Sequence, residues 1–321
     1  MYREALSFHL LPYLARYRLS EITIETVDAY RRYKVTQSEQ RQAALDNGTA
    51  ERDASGKRVR PLSASSINKT IGVLQMVLAL AVEYGHITSN AATGRRRRLK
   101  RPARRPIHLD SVEHIEVLLE AARQLDESNR WFTRGRRPAV ATLLFAGPRA
   151  GELCGLRWRD VDLDQRRIHI GRSKTQAGLR EITLLPVLHA ELTAHKTTTP
   201  FSGLDDPVFT TSKGTPHCKD NLRERIVAPV LRRADELLAA HDRPPLPAGV
   251  SPHKLRHTYA SILIAIGEDP ASVMAQLGHT DPKFTLRVYT HLMRRDPEER
   301  QRLQALINGH SSDGDSMDPP S

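Results

Sequence analysis

Between Gly94 and Pro106 the chain places eight basic residues, Arg95, Arg96, Arg97, Arg98, Lys100, Arg101, Arg104 and Arg105, together with two prolines. Such a run cannot serve as core, because mutual repulsion keeps it extended and proline interrupts any continuous helix. A chain of 321 residues divided at this point is expected to form two units of unequal size. The expected division is a helical unit at 1–93, a basic linker at 94–106, a larger unit at 107–308 and a disordered Ser-, Asp- and Pro-rich tail at 309–321.

The basic excess extends beyond the linker. With 49 Lys and Arg against 37 Asp and Glu, the net charge is +12, which favours a polyanionic partner over a neutral small ligand. Nucleic acid leads. A membrane surface is the competing polyanion, but the sequence reads as having no apolar run of spanning length, no signal-like start and no basic amphipathic anchor, so a cytoplasmic location is expected. Two cysteines, Cys154 and Cys218, are too few for a disulfide framework or a cysteine-built zinc site.

Helices dominate the first hundred residues. Val27 to Ala44 lacks Gly and Pro, and Asp46 to Pro61 reads as an exposed loop. Ser65 is a candidate cap for a stronger helix in which Ile67, Ile71, Leu74, Leu78, Ala81 and Val82 recur at helical spacing, with Gly85 as its left-handed stop. Asn68 and Lys69 on that helix are candidate groove contacts, and Arg95, Arg96, Arg97, Arg98, Lys100 and Arg101 are candidate phosphate contacts whose binding would be salt-dependent.

Beyond Ile107 the pattern is mixed. Helices are expected from Asp110 to Arg123, from Pro138, and again around Leu153 and Leu156. Arg167 to Ile170 and Leu179 to Leu184 alternate as strands, and the turn between them carries Lys174. Further helices are expected at about Lys219 to Ala240, Pro252 to Ile266, Pro270 to Leu277 and Pro297 to Ile307, giving a mainly α fold with a small antiparallel sheet.

The helix opening at Pro252, capped by Ser251, divides into two faces. Leu255, Tyr259, Ile262, Leu263 and Ile266 fall on one side and His253, Arg256, His257 and Ala260 on the other. The second stripe sets two imidazoles and a guanidinium near a helix N-terminus, an environment that favours an anion. His253 and His257 also have the spacing of a helical zinc pair, but Lys254 stands where that motif needs Glu, and Arg256 would repel a divalent cation. No metal is expected, and His257 reads as a structural histidine.

Arg149-Ala150-Gly151-Glu152-Leu153 followed by Leu156-Arg157-Trp158-Arg159-Asp160-Val161 resembles the first signature box of the tyrosine recombinases, the phage-integrase family. His253-Lys254-Leu255-Arg256-His257 resembles the second box, Leu277-Gly278-His279 the third element and Tyr289-Thr290-His291 the nucleophile segment. The interval from His279 to Tyr289 is slightly longer than in familiar members. Tyr259, the nearest competing tyrosine, falls on the apolar face of its helix. The resemblance implies an N-terminal core-type DNA-binding domain and a catalytic domain. The chain begins almost directly with the former, and a separate arm-type domain is expected to be missing from it, through truncation, an alternative start or natural economy.

The resemblance further implies site-specific recombination by a type IB mechanism, in which Tyr289 attacks a phosphodiester to give a 3′-phosphotyrosyl intermediate and a free 5′-hydroxyl. A free phenol is ionised to only roughly one part in a thousand at pH 7, so a base or strongly positive site is needed. Arg149 and Arg256 would clamp the nonbridging oxygens, His253 would accept the phenolic proton, Lys174 would protonate the leaving oxygen and His279 would hydrogen-bond the phosphate. Glu152 is expected to hold Arg149 through an i, i+3 pair. The covalent link conserves the bond's free energy, so no cofactor is expected, and Gly171-Arg172-Ser173-Lys174-Thr175 lacks the glycine spacing of a phosphate-binding loop. The implied partners are double-stranded DNA at a specific site and a homotetramer on two such sites, with room for an accessory directionality factor. Alternatives are type IB topoisomerase-like relaxation and a non-cleaving DNA-binding protein on the same fold.

Overall fold

The computed structural model describes residues 2–53, 56–100, 109, 111–128, 135–171, 179–278 and 297–309. Arg101, Lys174, His279 and Tyr289 lie outside these residues, as does the terminal segment from 310. Two compact units form, Met1–Arg104 and Arg105–Ser321, each around its own apolar cluster. Helices predominate, with one three-stranded antiparallel sheet among the described residues.

In the first unit, α1 is a helical stretch built from Tyr2–Glu4, a π-type segment Ala5–Leu10 and Leu11–Leu14. It packs with α2 (Ile24–Asp46) and α3 (Ala64–Glu83), burying Leu10, Leu14, Val27, Tyr30, Ile67, Ile71, Leu74 and Leu78. Inside this cluster the Tyr30 hydroxyl donates to Thr70 Oγ1 at 2.9 Å, so the aromatic is buried without a stranded polar atom. The cap of α3 is Ser63, whose Oγ accepts from the Ser66 amide at 3.1 Å, two residues ahead of the expected Ser65. Gly85 ends the helix at φ 72°, as its position predicts.

By length and composition α3 could cross a membrane, which corrects the expectation that no apolar run is that long. In this fold it is the central helix of the unit, with eight buried residues.

The described part of the basic segment, residues 94–100, is held against the first unit rather than free of it. Arg95–Arg97 forms a 3₁₀ turn, and the segment through Leu99 is fastened to the first unit. Asn68, only 4% exposed, donates from Nδ2 to Leu99 O at 2.9 Å and accepts the Leu99 amide at 2.8 Å. Arg97 pairs with Asp28 at 3.0 Å, Arg98 donates to Gln75 Oε1 at 2.6 Å and to Asn68 O, and Arg31 donates to Arg96 O. Backbone acceptors, one side-chain amide and one carboxylate thus overcome the repulsion that would have kept this stretch free. Replacing Asn68 with Ala leaves both Leu99 groups to find new partners, and is expected to destabilise the first unit by about 1–3 kcal/mol in urea unfolding. A change under about 0.5 kcal/mol would show that the clasp is dispensable.

The second unit contains α4 (Val112–Ser128), α5 (Arg136–Phe145), α6 (Ala150–Gly155), a sheet of β1 (Val161–Asp162), β2 (Arg167–Ile170) and β3 (Arg180–Thr183), and α7 (Pro186–Thr198). There follow α8, wound as Lys219–Asn221, a π-type segment Leu222–Val227 and Ala228–Ala240, then α9 (Pro252–Ala265), α10 (Pro270–Leu277) and α11 (Pro297–Ile307). β2 pairs with both neighbours, and Ile168 lies opposite Ile182. Ile168, Ile170 and Ile182 face the core, leaving the intervening polar residues outside.

α9 runs through the middle of this unit. Every residue from Leu255 to Ala265 is buried, including Arg256, His257 and Ala260. Of the stripe of His253, Arg256, His257 and Ala260, only His253 in the first turn is exposed. The helix is enclosed by neighbours that include α5 and α10, so beyond its first turn the polar stripe faces protein groups rather than solvent.

Candidate active site

Three arginines converge on the C-terminal end of α10. The last carbonyls of a helix lack intrahelical donors and carry the negative end of its dipole, so they attract cations. Here Arg180 Nε donates to Gln276 O at 2.6 Å, Arg256 Nη2 donates to Leu277 O, and Arg149 Nη2 donates to Gly278 O at 3.0 Å. Gly278 closes the helix with φ 59° and ψ 46°, a left-handed conformation natural to glycine.

Arg256 is 2% exposed, and its Nη1 donates to Gly147 O at 2.6 Å. Its guanidinium thus spans from the break after α5 to the end of α10. Gly147 can sit there only without a side chain, since at φ 55° a Cβ would lie 2.5 Å from Tyr259 Cδ1. Arg149 occupies the next turn of chain as the residue preceding α6, with 45% of its side chain exposed. One arginine is therefore embedded and the other half open.

Glu152 fixes Arg149 from two directions, accepting its amide at 2.7 Å and its Nη1 at 2.8 Å. This is the i, i+3 pair expected from sequence. The same carboxylate also takes Arg180 Nη2 at 2.8 Å. Burial alone would raise the Glu152 pKa, but hydrogen bonds from Arg180 and Arg149 outweigh it and hold the value at about 2.

His253 stands at the exposed start of α9, edge-on to His257 with ring centroids 4.7 Å apart. Partial burial, followed by the charges of Arg256, Lys254 and Arg149, lowers its pKa below the ordinary histidine value. The neutral imidazole, able to accept a proton, is favoured. His257 is buried. Tyr259 is fully buried, and its hydroxyl donates to Gln276 Oε1 at 2.7 Å. Burial, the largest influence, raises its pKa and so disfavours the phenolate a nucleophile requires.

Residues 111–295 match the family model described as the phage integrase family. The chain belongs to this family. Tyrosine recombinase XerC of Xylella fastidiosa (strain 9a5c) is 30% identical over 282 residues, covering 84% of this chain and 87% of that protein. The fold resembles the Tn1549 transposon integrase in complex with a circular intermediate DNA, with TM-score 0.64 at 17% identity and coverage of 87% and 86%. It also resembles a lambda integrase tetramer bound to a Holliday junction, with TM-score 0.60 at 17% identity and coverage of 88% and 70%. This phage-integrase family member is a tyrosine-type site-specific recombinase, and recombination of DNA is its activity.

Of the sequence-identified site residues of this recombinase, Arg149, Glu152, His253, Arg256 and His257 are brought together in the second unit. Lys174, His279 and Tyr289 fall outside the described residues, although Gly278, bonded to Arg149, immediately precedes His279 in sequence. In the first unit Lys69 is exposed, as are Arg95, Arg96 and Lys100. Asn68 is not available as a groove contact, because both ends of its amide are committed to Leu99, and Arg97 and Arg98 are partly buried in the bonds described above. Arg101 lies outside the described residues.

Sequence reasoning overlooked Arg180 and Gln276. A signal for Arg180 existed: strand alternation sets it on the same face as the buried Ile182, an inward position where a lone cation needs a reason.

Proposed function

We propose that this recombinase cuts double-stranded DNA at a specific site by attack of the Tyr289 oxygen on the scissile phosphorus. The Tyr289 O–P bond forms as the P–O5′ bond breaks, leaving a 3′-phosphotyrosyl link and a 5′-hydroxyl. Attack by the 5′-hydroxyl of a second strand then reverses the chemistry and completes strand exchange. The observation that carries this reading is the gathering of Arg149 and Arg256 on the carbonyls that directly precede His279.

Planar guanidiniums suit the nonbridging oxygens, where charge accumulates in the transition state. His253, its pKa lowered, receives the phenolic proton. Lys174 donates a proton to the departing 5′-oxygen, and His279 hydrogen-bonds the phosphate. Proton carriers and cations complete this cycle without a metal or nucleotide. The lambda integrase tetramer on a Holliday junction supports a homotetramer of this chain acting on two DNA sites, and a DNA substrate fits a cytoplasmic protein.

The test is covalent capture. A nicked duplex whose core is randomised, enriched on the wild-type protein, loses the short fragment that carries the new 5′-hydroxyl after cleavage and traps the adduct, which then migrates slowly on a denaturing gel. A chelator should leave its rate unchanged. Absence of any adduct from all enriched duplexes would overturn the reading.

Among the described residues of the basic run, Arg95, Arg96 and Lys100 are exposed, so changing them leaves the bonds of Arg97 and Arg98 to the first unit in place. Changing these three to Gln is expected to weaken binding and reduce the slope of log K against log salt by roughly 0.9 for each phosphate that is no longer neutralised. Fluorescence anisotropy across a salt series reads that slope, and an unchanged value would leave these side chains as solvated charge.

A further inference from the structure

The buried carboxylate of Glu152 poses an electrostatic problem for the arginine it holds. A single carboxylate paired with Arg149 would cancel the charge that Arg149 must present to an anion. It would also draw the half-exposed guanidinium inward. Arg180 changes both outcomes. Its side chain is 4% exposed and Glu152 is 8% exposed, so their interaction is shielded from solvent. Nη2 and Nη1 of Arg180 reach the two carboxylate oxygens at 2.8 and 3.2 Å. The carboxylate is therefore shared by two guanidiniums, and the group of three retains a net positive charge.

A further bond from Arg180 reaches the neighbouring helix. Its Nε donates to Gln276 O, one carbonyl before the acceptor of Arg256 and two before that of Arg149. Because one planar group binds both Glu152 and the end of α10, the distance between the carboxylate and those carbonyls is set by a rigid fork. Arg149 is bonded to both of the same partners, Glu152 and α10. Its guanidinium is thereby located by a frame in which Arg180 is the inner strut.

We propose that Arg180 is a positioning residue for DNA cleavage, acting through Glu152 and the C-terminal carbonyls of α10 to place Arg149 and to preserve its charge for the scissile phosphate. This rests on the cleavage reading given above. Arg180 itself touches no reacting atom. Its position at the start of β3 also makes it the point where the segment carrying Lys174 rejoins the sheet.

The experiment uses the full chain and the enriched nicked duplexes, comparing adduct rate with DNA affinity. Arg180→Met is expected to slow adduct formation about 100-fold, the scale of an ångström-sized misplacement, while affinity changes by less than about threefold. Ethylguanidinium at a non-denaturing concentration should recover part of that rate and leave wild type unaffected. In a Glu152→Gln background, where the buried charge is gone, Arg180→Met should cost less than about threefold, because the two residues act as one unit. Should Arg180→Met fail to fold, Arg180→Lys carries the same comparisons, since lysine keeps the charge but loses the fork.

The proposal is overturned if the folded variant cleaves within about threefold of wild type, if the loss lies wholly in DNA affinity, or if the same factor is lost with Glu152→Gln. Wild-type protein without an adduct would instead sink the cleavage reading itself. The two failures are thus separate.

Discussion

Tyr289→Phe is expected to reduce covalent capture of the nicked duplex to background while DNA affinity stays within about twofold of wild type, a change of less than about 0.5 kcal/mol. The substitution removes one oxygen, and with it the only atom of that side chain able to attack phosphorus. Among the described residues the one competing tyrosine is unsuited to replace it. Tyr259, the tyrosine packed beside Gly147, is buried, bonded to Gln276 and held in its neutral form. An adduct that persists in Tyr289→Phe would move the nucleophile elsewhere, and peptide mapping of the DNA-linked fragment would then identify it. The separation of binding from capture matters here. A variant that lost both together would report on folding or DNA contact instead of chemistry.

The legibility of this site from sequence varied with how local each determinant is. The pairing of Arg149 with Glu152 follows from one helical turn, and spacing alone predicted it. The bounds of β2, α10 and α11 were likewise legible, since alternation, Pro at the first helical position and Gly278 at the stop are short-range signals. By contrast, α7 was missed because it buries only Leu188 and Leu192, a stripe too narrow to distinguish from a loop. The C-terminal carbonyls of α10 are also invisible to motif reading, since every residue has a carbonyl and only the fold selects which ones face an arginine.

The first unit teaches the converse lesson about charge. The run from Arg95 looked uniform, yet its members divide by what lies opposite each. Asp28 meets Arg97, Gln75 and the Asn68 carbonyl meet Arg98, and Arg95, Arg96 and Lys100 face solvent. Asn68 was read as a groove contact because it is polar on a helix near basic residues. It lies one residue after Ile67 and three before Ile71, both buried, so its position beside the apolar stripe pointed to an inward amide. Polarity marked it as needing partners, and the Leu99 backbone supplied them.

Arg256→Lys should separate the clamp's geometry from its charge. The wild-type guanidinium reaches Gly147 O with one nitrogen and Leu277 O with another, thereby bridging two chain segments 130 residues apart in sequence from Gly147 to Leu277. A lysine ammonium carries the same charge on a compact head and cannot reproduce that planar span. Adduct formation is expected to fall by about 100- to 1000-fold, the scale for removing one transition-state donor, while DNA affinity is retained. Arg256→Ala is a poorer instrument, since stranding buried carbonyls adds a cost of about 1–3 kcal/mol to the loss of chemistry. Single-turnover rates at saturating protein isolate the cleavage step from binding. If Arg256→Lys cleaves within about tenfold of wild type, a difference of about 1.4 kcal/mol, positive charge suffices at this position and the bridging fork is not what the phosphate requires.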